Sequence, residues 1–77
     1  MNKAAHLTKY DGTTGKLIQE RDTVLNVTDL IEAIQEAWAF CDLIIKKSGE
    51  YIMRVWFCEE DHNNGHPAEY KFSIKAL

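Results

Sequence analysis

Seventy-seven residues make one domain, near the lower end of what a single hydrophobic core supports. An apolar fraction of 45% and a charged fraction of 27% exclude a disordered chain, and four glycines with one proline leave little room for linker. The net charge of −3 argues against a nonspecific nucleic-acid binder, which is ordinarily basic.

No apolar run follows Met1-Asn2-Lys3, so no secretory leader is expected. The longest apolar-rich run, "AWAFCDLII", is too short for a bilayer and carries Asp42. Two cysteines do not make a disulfide framework, and without an export signal they read as free thiols in a reducing, cytoplasmic setting.

The chain divides into hairpin 4–25, helix 28–47 and hairpin 50–77. In the first hairpin, strand candidates Ala4–Tyr10 and Lys16–Leu25 flank "YDGTTGK", where Asp11-Gly12 and Gly15 supply turn chemistry. The second arm alternates poorly. Leu17 and Ile18 are adjacent and "QERD" is wholly polar, which suits an exposed or bulged edge.

The helix rests on Val27, Leu30, Ile31, Ile34, Ala37, Trp38, Cys41, Ile44 and Ile45, which recur at three- and four-residue steps. Asn26 or Thr28 is placed to cap it, and Gly49 to end it. Phe40 and Leu43 fall off this stripe. Either they form a sticky outer patch, or the helix stops near Cys41 and "LIIKK" is a strand turning at Ser48-Gly49. The long helix is favoured, because the shorter one needs a helix-to-strand turn with no breaker residue.

In the last segment Ala68, Tyr70, Phe72, Ile74 and Ala76 alternate with Glu69, Lys71, Ser73 and Lys75. Asn64-Gly65 is a strong two-residue hairpin signal, since a type I′ turn needs positive φ at both positions. That turn sets Phe57 opposite Phe72, Val55 opposite Ile74 and Met53 opposite Ala76. The expected fold is therefore α+β, in the order ββαββ: a four-stranded, mainly antiparallel sheet with one helix packed on one face.

Cys58, His62 and His66 are the candidate metal ligands, at three-residue gaps. On a regular hairpin Cys58 and His62 stand roughly 13 Å apart and His66 points to the other face, so one ion cannot reach all three. The run Glu59-Glu60-Asp61 reads as a solvated cluster able to steer a basic partner. No nucleophile–base pair, phosphate loop or dinucleotide fingerprint is present, so neither an enzyme nor a bound cofactor is expected.

The sheet face turned away from the helix is the expected interaction surface. It carries Arg54 and Trp56 across from Lys71, Ser73 and Lys75, and Trp and Arg are enriched in binding hot spots. Phe40 and Leu43 add a second candidate patch, suited to a partner protein or a homodimer. Seven of the cations (Lys3, Lys9, Lys16, Arg21, Arg54, Lys71 and Lys75) fall on presumed strands or the first turn, while much of the acid falls on the presumed helix as Asp29, Glu32, Glu36 and Asp42.

Three functional readings follow. The first is a non-enzymatic protein-interaction module, such as an inhibitor, adaptor or regulator. The second is a single-stranded nucleic-acid binder that stacks bases on the sheet aromatic. The third is a small metal protein using Cys58, His62 and His66.

Overall fold

The computed structural model describes residues 4–77, so Lys3 lies outside the described residues. It is an α+β fold in which one helix, α1 (Val27–Ala37), lies against a five-stranded antiparallel sheet. The strands are β1 (Ala5–Asp11), β2 (Leu17–Thr23), β3 (Phe40–Lys47), β4 (Glu50–Trp56) and β5 (Tyr70–Ala76); a short second helix, α2 (Glu59–Asn63), precedes β5. Their spatial order is β2-β1-β5-β4-β3.

The first hairpin forms as its turn residues dictate. Asp11 Oδ1 accepts from the backbone N–H groups of Thr13 and Thr14 at 2.8 and 2.9 Å, and Gly15 N–H donates to Asp11 O at 2.8 Å. Gly12 is required for a different reason: a Cβ there would stand 1.8 Å from the carbonyl oxygen of Ala68. This turn therefore presses directly on the segment that leads into β5.

Asn26 caps α1, its side chain accepting from Asp29 N–H at 2.8 Å. Leu30 and Ile34 are the buried face of α1. They close on Ala5, Leu7, Met53, Val55, Phe72 and Ile74, with Val27, Ile31, Trp38, Cys41, Tyr51 and Tyr70 around the margin. Met53, Val55 and Ile74 are the largest side chains fully removed from water. Each is worth about 1.5–3 kcal/mol of burial relative to exposure.

Two expectations are corrected. The helix does not run from 28 to 47. It ends at Ala37, Trp38 is extended, and 40–47 is a strand paired with β4 through a turn at Ser48-Gly49. The sheet consequently has five strands rather than four. No glycine or proline is needed for the break. Phe40, Leu43, Ile44 and Ile45 suit a pleated surface, and the ladder to β4 gives their backbone partners that a continued helix would otherwise supply. Asp42 accordingly belongs to a strand and not to an acidic helix face.

The second correction concerns Asn64-Gly65, which does not form a two-residue hairpin. Asn64 has φ −81°, outside the range a type I′ turn demands, and caps the C-terminus of α2, while Gly65 at φ 74° is the left-handed residue just beyond. The partners are then Met53 with Phe72 and Val55 with Tyr70, four positions from the expected register. An even shift leaves every β4 and β5 side chain on its expected face. Phe57, however, leaves the ladder and is 65% exposed.

Candidate interaction surface

Cross-strand partners point to the same side of a sheet, so the register assigns the face away from α1. Arg54 lies directly opposite Asp42 on one side and Lys71 on the other; Ile52 lies between Ile44 and Ser73; Glu50 lies opposite Lys75. Thr8 and His6 continue the same rows onto β1. Arg54, Lys71, Ser73 and Lys75 are thus brought onto one face, as the alternation implied. Leu43 points to the opposite side, beside Met53, and Phe40 sits opposite Trp56.

Trp56 is on this face but is not available on it. It is only 5% exposed. Its indole N–H donates to His66 O at 3.0 Å, and its ring meets the edge of His62 at 4.4 Å and Phe40 at 6.1 Å. The His62 ring also lies 4.7 Å from Phe40, and its Nε2 is 2.8 Å from Asp42 Oδ2. Residues 57–69, which replace the expected tight turn, fold α2 back over this end of the sheet. Trp56 and Phe40 become the inside of a small second core.

The rest of the face is uneven: Arg54 and Lys75 are exposed, Lys71 and Ser73 half-buried, and Thr8 buried. Ile44 is 42% exposed beside the buried Ile52. The Thr8 hydroxyl donates to Ser73 O at 3.2 Å. The Arg54 guanidinium lies 5.5 Å from the Trp56 ring centroid and 3.5 Å from Asp42 Oδ2. That one carboxylate oxygen therefore serves both Arg54 and His62. The strand cations do not all share the face: the Lys9 ammonium sits 3.8 Å over the Tyr70 ring, on the helix side.

At the far margin His6 Nε2 approaches Glu20 Oε1 at 2.8 Å while its Nδ1 meets Asp22. The hydrogen bond to Asp22, then that to Glu20, raises the His6 pKa above the ordinary 6.5. Burial pushes the Cys41 thiol up, reinforced by the neighbouring Asp42 charge.

A cavity of about 380 Å³ opens beside the α2 loop. It gathers Asp11, Asp61 and Glu69 around Trp56, Phe57 and His66. Sequence reasoning missed Asp11 and Glu69 here, because only the contact of the first turn with residue 68 brings them to Asp61. Among the described residues, no group of three or more His, Cys, Asp or Glu side chains is placed to hold a metal ion. Also among them, no helix is long and apolar enough to cross a membrane.

No protein family, curated protein or solved structure matches this chain.

Proposed function

We propose that this chain is a small non-enzymatic protein-binding module, an inhibitor, adaptor or regulator that captures an acidic partner surface on its open sheet face. The supporting observation is the placement of Arg54 directly opposite Lys71. Like charges in a cross-strand pair destabilise a sheet. The carboxylate beside this pair, Asp42, is already shared with His62. A cation pair kept at some cost to the fold, next to half-exposed Ile44, is complementary to a patch of partner carboxylates with an apolar centre. Lys75 and Ser73 extend the same surface, while the Trp56 ring supports the Arg54 guanidinium from beneath.

The test is affinity capture from the native host's lysate, with an Arg54→Glu/Lys71→Glu double variant as control. Both substituted positions lie outside the buried core, so the variant should keep its circular dichroism spectrum and lose the captured protein. Undiminished capture by a folded variant would sink the proposal. Base stacking on Trp56 is disfavoured, because the ring lies under His62 of α2 and is 5% exposed.

A further inference from the structure

The two edges of the sheet differ at their centres. β2 exposes Leu17 and Ile18 at its start but is blunted beyond them by Gln19, Glu20, Arg21 and Asp22, the means by which natural sheets discourage further pairing. β3 carries Leu43, Ile44 and Ile45 in succession, 41%, 42% and 67% exposed, beside an outward row of backbone groups. Apolar side chains on both faces of an edge strand are what an interior strand carries.

We propose that β3 pairs antiparallel with β3 of a second copy, on a two-fold axis through Ile44 perpendicular to the sheet. Such an axis keeps each residue on the same side in both copies, so opposed residues must have the same parity. Centring on Ile44 sets Ile44 against Ile44 and Leu43 against Ile45, and brings Lys46, the extra residue of the irregularity between Ile45 and Lys47, beside Asp42; each of the last two pairs occurs twice. Moving the register by two residues sets Lys46 against Phe40 or against Ile44, so the Ile44-centred register is the one of the three that gives Lys46 an opposite charge. The ion pairs have room to form: Arg54 and His62 both use Asp42 Oδ2, which leaves Oδ1, and Lys46 has no salt bridge among the described residues. Lysine within an edge strand discourages indiscriminate pairing; here it admits the self-complementary register. The product is a ten-stranded sheet with both α1 helices on one side.

Sedimentation equilibrium of the full chain, across micromolar to millimolar concentration, tests this. The wild type is expected to dimerise. Ile44→Lys sets two cations against each other at the axis and is expected to be monomeric with an unchanged circular dichroism spectrum. Lys46→Glu turns two attractive pairs repulsive and is expected to raise the dimer Kd about tenfold. A wild type that stays monomeric throughout overturns the proposal, and so does a dimer indifferent to both variants. Should Ile44→Lys fail to fold, Lys46→Glu decides alone, because its side chain is exposed and unchanged association would then be fatal.

Discussion

Trp56 shows how one residue changes meaning with its surroundings. Its residue type and its place on the face away from α1 suggested a binding anchor, and that face is where it lies. What no local pattern revealed is that residues 57–69 return over it. Trp56→Ala is therefore expected to destabilise the protein by about 3–5 kcal/mol rather than to leave a folded, binding-deficient variant. It removes the ring packed against both Phe40 and His62 and orphans the His66 carbonyl. Urea denaturation followed by far-ultraviolet circular dichroism reads the loss; a variant as stable as the wild type would restore Trp56 as a surface residue. Arg54, Lys71, Ser73 and Lys75 were legible because strict alternation in β5 survives any even change of register.

At the scale of elements, the first hairpin, the Asn26 cap and the Leu30/Ile34 stripe were all readable from turn chemistry and period. The strand 40–47 was not. Cys41, Ile44 and Ile45 continue the helical stripe, only Phe40 and Leu43 depart from it, and nothing in Trp38-Ala39 marks the boundary. Asn64-Gly65 was ambiguous in the same way, since one dipeptide closes a hairpin or ends a helix and only Asn64's φ distinguishes them.

The β1–β2 pairing offers a pH test. His6 on β1 bridges Glu20 and Asp22 on β2, and its folded pKa is raised. A raised pKa means that the folded state holds the proton more tightly. The contribution is then fully present below the unfolded value near 6.5 and is lost as pH rises through the folded value. The urea midpoint of the wild type should exceed that of His6→Gln at about pH 5, and the gap should narrow as pH rises through the folded value. A pH-independent gap would mean that the two carboxylates do not hold a charged imidazole.

For the whole molecule the decisive feature is the position of β5. It pairs with β1 on one side and β4 on the other, with Ala5 opposite Ala76 and Met53 opposite Phe72. Without it the sheet falls into two hairpins, and the core loses Phe72 and Ile74. A chain truncated after Glu69 is expected to show no cooperative unfolding transition by circular dichroism; a sharp transition would mean that α1 and the remaining strands form a core of their own.

That arrangement sets the hazard of partial unfolding. β5 is the last strand in the chain and the middle strand of the sheet. A molecule that releases β5 displays four raw strand edges instead of two, and the inner pair, β1 and β4, frame a slot one strand wide. The β5 of a neighbouring molecule fits that slot as well as its own does, so strand exchange at high protein concentration is the natural failure of this topology.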